Sequence, residues 1–164
     1  MGSADKPTPR PASAKDCPIA VPHTHYPLNA ALCYSDAAWN SVSCKGGMGW
    51  TISDSDGATL LQGSLPLAFA ASPLVAEAVA LKENLKAAKS NNLSHLICFS
   101  DSKGLIKLIT GNSSVIALQG ILHDIGVLSN SFSSILFKFL PRSYNVVADG
   151  LAKKALFLFQ NSVT

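Results

Sequence analysis

Charge is scarce in this chain. Only 14% of its 164 residues are Asp, Glu, Lys or Arg, so an acid inside an apolar segment stands out. The net charge is +3, too small on its own to mark a polyanion-binding surface, and any such grip must come from local clustering. Aromatic residues are also few, at 7%, which leaves Leu, Val, Ile and Ala to fill the core of a chain that is 48% hydrophobic. The four cysteines, Cys17, Cys33, Cys44 and Cys98, form no C-x-x-C pair and share no zinc-site spacing with His. Cys33 and Cys98 fall in apolar runs, where a free thiol behaves as a small hydrophobe. Four reduced thiols suit a reducing compartment, so an intracellular location, nucleus or cytoplasm, is the expectation. No basic import cluster decides between the two. No secretory apolar region is present, because the first thirty residues carry Asp5, Lys6, Arg10, Lys15 and Asp16. The most apolar stretch, Leu65 to Leu81, is broken by Pro66 and Pro73 and contains Glu77, which excludes it as a membrane span. Internal repeats are absent as well.

Proline, by contrast, is concentrated at one end. Residues 1–28 hold Pro7, Pro9, Pro11, Pro18, Pro22 and Pro27 with Ser and Thr between them. This composition predicts a disordered tail or linker, with His23 and His25 as a solvated pair. Residues 29–164 are then the folded domain, a suitable length for one core.

Within the domain the punctuation is clear. Ala31 to Trp39 (ALCYSDAAW) reads as a strand. Gly46, Gly47 and Gly49 predict a turn into a second strand, Trp50 to Ser53, and Asp54-Ser-Asp-Gly57 is a hairpin signal before a third, Ala58 to Leu67. Ser72-Pro73 suits the start of a long helix. Leu74, Ala78, Leu81, Leu85 and Ala88 recur along one stripe of it, and Asn91-Asn92 ends it. His95 to Ser100 (HLICFS) reads as a buried strand. Ser102 to Thr110 predicts a short helix closed by Gly111, Val115 to Leu128 another helix, Ser134 to Leu140 a fifth strand, and Tyr144 to Phe159 a last helix. The order β-β-β-α-β-α-α-β-α implies a mixed α/β sheet with helices on its faces.

Four carboxylates sit where charge is unexpected. Asp36 interrupts an otherwise uncharged strand, and Asp101 ends HLICFS, at the carboxyl end of a strand where open α/β sheets bind ligands. Glu77 lies three residues after Leu74 and four before Leu81, so it is inside the apolar stripe, where a lone carboxylate is costly unless paired or metal-bound. A hydrogen-bond network or a Lys partner would serve as well as a metal. Asp149, alone, would be an acid placed favourably near a helix N-terminus. Converging carboxylates repel one another, and a hard divalent cation relieves that repulsion.

The segments S-D-A-A-W (35–39), G-G-M-G-W (46–50), S-P-L-V-A-E-A-V-A-L (72–81), F-S-D-S (99–102) and P-R-S-Y-N-V-V-A-D-G-L-A-K-K-A (141–155) resemble the type 1 RNase H-like domain common in plants. That domain occurs in plant non-LTR retrotransposons and in related host proteins. The similarity runs from about Cys33 to Phe159. It implies a five-stranded mixed sheet of order 3-2-1-4-5, with the first three strands antiparallel. It implies an endonuclease that cuts the RNA strand of an RNA–DNA hybrid with two Mg²⁺ ions, Mn²⁺ substituting, and leaves a 5′-phosphate and a 3′-hydroxyl. Under the resemblance Asp36, Glu77, Asp101 and Asp149 are the catalytic, metal-holding acids, and Asn145 matches the Asn four residues before the last acid. The expectation is a monomer, standing alone or within a larger reverse-transcriptase polyprotein, and no membrane.

The chain departs from bacterial and animal relatives of that family in three ways. The mobile His loop before the last acid is the short P-R-S-Y-N, where Arg142 partly stands in; His123 lies in a different helix and is expected to be structural or exposed. The Asn-rich start of the first helix is Ser72-Pro73-Leu74. No basic protrusion follows the short helix. Substrate contacts are therefore expected from Asn40, Lys103, Arg142 and Asn145, although each of the first three is also an ordinary surface residue. Lys82, Lys86 and Lys89 read as a solvated helix face, and Lys153 and Lys154 as complements to a helix dipole. The alternative function is a catalytically weak or inactive nucleic-acid-binding module of the same fold. A third reading is a resolvase or exonuclease of that superfold, since fold alone does not fix chemistry.

Overall fold

Alternation along the first strand sets the architecture. The computed structural model describes residues 29–111 and 115–162; the Pro-rich tail, with Cys17, His23 and His25, lies outside them. In β1 (Ala31–Trp39), Ala31 and Cys33 join one buried cluster while Leu32 and Tyr34 pack against another. A strand buried on both faces belongs in the middle of a covered sheet, and there it lies. β2 (Gly46–Ser53), β3 (Thr59–Leu67), β4 (His95–Ser100) and β5 (Ser134–Phe139) complete a sheet of order β3-β2-β1-β4-β5. The β1–β2 and β2–β3 pairs are antiparallel, and β1–β4 and β4–β5 are parallel. This is the mixed sheet expected from the sequence.

One face carries α1 (Pro73–Ser90), α2 (Lys103–Thr110) and α3 (Gln119–Ser129); α4 (Val146–Gln160) packs on the other, over β1, β2 and β3. The Ser72 hydroxyl caps α1 by accepting from the Val75 amide at 3.2 Å, with Pro73 in the first turn. Asn91 caps its end, and Asn92 turns the chain with φ of 59°. Ala78, Leu81, Leu85 and Ala88 are all at most 1% exposed. Each large apolar side chain so buried contributes about 1.5–3 kcal/mol, so the stripe anchors α1 against β1 and β2.

Two expectations shift. The glycines before Trp50 do not form the turn; they begin β2, and the turn is the Asn40–Lys45 segment, with Cys44 at φ 61°. The cause is α4. A Cβ at Gly47 would sit 2.2 Å from the Ala152 carbonyl oxygen, and one at Gly49 2.4 Å from that of Ala148. The segment expected as one helix from Val115 divides into a 3-10 turn (Ile116–Leu118) and α3. No side chain caps α3, and Gly120 and Gly126 weaken it.

Candidate metal centre

The parallel register of β1 and β4 builds the site. Ser35 pairs with Ser100, so the next residues stand side by side: Asp36, still within β1, and Asp101, just past the end of β4. Glu77 reaches them from the first turns of α1, whose buried stripe fixes that face toward the sheet. One ligand oxygen from each of Asp36, Glu77 and Asp101 lies within 4.8 Å of the others. Asp36 is only 3% exposed.

Packing three carboxyls so closely away from water disfavours their charged forms. Burial, and then the neighbouring charge of Asp101, pushes the Asp36 carboxyl up to about 7. Burial, and then Asp36, pushes Glu77 up to about 10, and Glu77 shares a hydrogen bond with Asp36. In the metal-free protein at neutral pH the proton therefore rests on Glu77, which donates it to Asp36. Glu77 Oε1 is buried without a partner. A cluster of hard oxygen donors with one orphaned buried oxygen fits a divalent cation.

Asp149 stands at the margin. It lies one turn into α4, near enough to Asp36 to add to the rise of that carboxyl, and pairs with Lys153 at 3.0 Å one turn further on. It is not part of the 4.8 Å group.

Of the other candidates, Asn145 touches this centre. Asn145 is 1% exposed. Its Nδ2 donates to the Ser35 carbonyl at 2.9 Å and to Asp101 Oδ2 at 3.4 Å, while its backbone carbonyl accepts from the Asp149 amide. It thus joins β1, Asp101 and α4 from inside. Asn40 holds its own turn, its Oδ1 accepting from the amides of Val42 and Ser43 at 2.8 and 3.0 Å. The Lys103 ammonium lies 5.1 Å from the centre of the Phe139 ring. Arg142 is exposed on the 3-10 turn (Arg142–Tyr144) leading to Asn145. His123 is exposed on α3. Lys86 and Lys89 are exposed, as a solvated helix face requires, and Lys86 pairs with Glu83 at 3.4 Å, but Lys82 is half-buried and ties α1 to α3 through Asp124 at 2.8 Å.

Sequence reasoning missed the polar layer beneath the acids. Asn84, fully buried, donates to the Tyr34 carbonyl at 3.1 Å, and its Oδ1 and the Ser35 hydroxyl have no partner. The signal was available: Asn84 is two helical turns from Glu77 and therefore on the same face.

Comparison with known proteins agrees with this geometry. The sequence profile of the reverse transcriptase-like family matches residues 34–155. No curated protein matches the chain in sequence. Among solved structures, RNase H1 from the halophilic archaeon Halobacterium salinarum NRC-1 superposes with a TM-score of 0.74 at 25% identity, over 78% of this chain and 98% of that one. The N-terminal RNase H domain of a Mycobacterium tuberculosis protein gives a TM-score of 0.76 at 20% identity, over 83% and 99%. LC11-RNase H1, solved in complex with an RNA/DNA hybrid, gives 0.74 at 20% identity, over 80% and 99%.

Proposed function

Because the chain belongs to the reverse transcriptase-like family and has its RNase H-like fold, we propose that it is a type 1 ribonuclease H, a metal-dependent endonuclease that cuts the RNA strand of RNA–DNA hybrids. The observation that carries this reading is the group of Asp36, Glu77 and Asp101 oxygens within 4.8 Å of one another, with Glu77 Oε1 lacking any partner among the described residues. These three, with Asp149, would hold two Mg²⁺ ions, for which Mn²⁺ can substitute. Such ions supply activation of the attacking water and neutralisation of charge on the phosphodiester as it is cleaved to a 5′-phosphate and a 3′-hydroxyl.

The chain's own residues do the placing. Asn145 holds Asp101 against β1 through its two Nδ2 hydrogen bonds. Burial keeps bulk water from the Asp36 and Glu77 carboxyls, so that a cation is their strongest available partner. On this reading Asn40, Lys103 and Arg142 would contact the hybrid, whose 2′-hydroxyls distinguish its RNA strand, while the buried Asn145 acts by positioning Asp101 rather than by touching substrate. The reading places the chain in the plant-type branch, as an intracellular monomer or as one domain of a reverse-transcriptase polyprotein.

A second reading, a hybrid-binding module with weak or no catalysis, is favoured by the neighbourhood of the site. The segment between β5 and α4 has no His, and the Asn40 and Lys103 side chains are engaged within the protein. Labelled hybrid incubated with Mg²⁺ or Mn²⁺ separates the two. Cleavage by the wild type, lost in Asp101→Asn and absent on double-stranded DNA, is the expected result. A folded protein that binds hybrid and cuts it with neither metal would establish the module instead.

A further inference from the structure

A cavity of about 530 Å³ opens on the α4 side of the sheet, between the first turn of α4 and the β2–β3 hairpin. This is within the range of ligand pockets, roughly 300–1,000 Å³. Leu32, Tyr34, Thr51 and Ser53 form its floor, and Val147, 55% exposed, forms part of its wall. Tyr34 is stacked on Phe99 with ring centres 5.1 Å apart, which fixes the aromatic part of the floor. Asn145 lines the end nearest the carboxylates, and Asp56 the end at the hairpin.

The chemistry of the lining restricts the occupant. Among the described residues no Lys or Arg lines the cavity, so it does not suit a phosphate or a carboxylate. The aliphatic and aromatic walls suit a flat apolar body. At the hairpin end stands an acceptor, the Asp56 carboxylate; at the other lies Asn145, 1% exposed, whose Nδ2 is used and whose Oδ1 is sealed from solvent with no partner among the described residues. The occupant should therefore be uncharged, planar and equipped with N–H donors. Because Asn145 also bonds Asp101, an occupant joined to a phosphodiester at the carboxylates would reach the cavity from there.

We propose that this cavity is a nucleobase site, receiving one unpaired base of the substrate's RNA strand beside the carboxylate centre. The proposal rests on the hybrid-binding reading above and extends it to hybrids that end in, or contain, an unpaired ribonucleotide. Base–aromatic stacking is sequence-tolerant, so the site accepts any base and selects for unpairing.

The test uses the full chain in EDTA, where nothing is cleaved. Hybrids with and without a single unpaired RNA nucleotide, carrying 2-aminopurine there, are compared for affinity and fluorescence. Adenosine alone is titrated while the backbone amides of Thr51, Ser53 and Val147 are followed by NMR. The unpaired base should tighten binding about tenfold, the scale of one stacked base, and change the 2-aminopurine emission. Adenosine should shift the three amides. Val147→Gln, a change without added charge at an exposed position, should remove most of the gain and of the shifts while leaving blunt-hybrid affinity unchanged. Equal affinity for both hybrids together with unmoved amides would overturn the proposal. So would shifts that appear only after residues 1–28 are removed, because that segment would then be the occupant. If no hybrid binds but adenosine still shifts the amides in a Val147-dependent way, the nuclease reading fails and the base site stands.

Discussion

Glu77 and Asp36 make the metal-free protein sensitive to pH in an unusual direction. Both carboxyls have folded pKa values raised above their ordinary range, to about 10 and about 7. Between about pH 4.5 and those values the folded state keeps protons that the unfolded state has released. Stability is then greatest below the unfolded pKa and falls as the pH rises through the window. Glu77→Gln removes the larger part of this slope. In EDTA at pH 9 the variant should be more stable than the wild type by on the order of 2 kcal/mol, or roughly 4–8 °C in Tm. At pH 4 the two should nearly coincide. Adding Mg²⁺ at pH 9 should raise the Tm of the wild type and leave that of the variant nearly unchanged. Parallel melting curves across this range would remove the argument for a strained, cation-seeking acid cluster. The scarcity of charge made these acids legible in the sequence: an acid within an apolar stripe or strand has few other reasons to be there. The bond between Asn145 and Asp101 was less so. It depends on where α4 lands on the sheet, which neighbouring residues in the chain do not encode; the pairing of Asp149 with Lys153 is an i,i+4 pair within α4 that the spacing already offered.

At the scale of elements, the contact between α4 and β2 holds Asp149 and Asn145 at the site. Gly47 and Gly49 let the helix backbone lie directly on the strand, and the Ser64 hydroxyl adds a 2.7 Å hydrogen bond to the Leu151 carbonyl. Gly49→Ala places a methyl group 2.4 Å from the Ala148 carbonyl oxygen and 2.5 Å from the Ala152 amide nitrogen. Neither is the end of a flexible side chain, so the whole helix must move. Overpacking of this kind costs about 1–3 kcal/mol. The displacement carries Asp149 away from Asp36, so cleavage should fall by at least tenfold, beyond the loss expected from stability alone. Chemical denaturation together with hybrid cleavage, at a temperature where the variant is folded, checks both parts. Gly57→Ala is the control: its φ is 92°, but nothing lies within 4 Å of the added Cβ, so it should lose stability without losing cleavage beyond that. The same contact explains why β1 and β4 were legible to their last residues and the start of β2 was not. Apolar runs bounded by turn residues announce strands. A strand that begins with three glycines in four residues is strand only because a helix fills the space the side chains leave.

Over the whole molecule, charge and site are separated. The tail before residue 29 holds three basic and two acidic residues, so the remainder has a net charge of only +2, and four of its eight acids stand at or beside the centre where a phosphodiester would have to approach. Cations near that centre are sparse: Lys153 is paired with Asp149 and Lys103 lies over Phe139, which leaves Arg142 as the exposed guanidinium on the approach to Asn145. Few phosphates are then neutralised on binding. With about three such contacts, affinity for hybrid should fall roughly fortyfold between 50 and 200 mM salt, against 10³–10⁵ for a protein that makes six to ten. Fluorescence anisotropy over that range, in EDTA and again in Ca²⁺, measures the slope. A slope near −3 in log–log form that becomes shallower in Ca²⁺ would mean that cations at the carboxylates supply part of the grip. A slope near −8 would require a basic surface beyond the few cations beside the carboxylates, and the three basic residues of 1–28 would then be among the places to look for it.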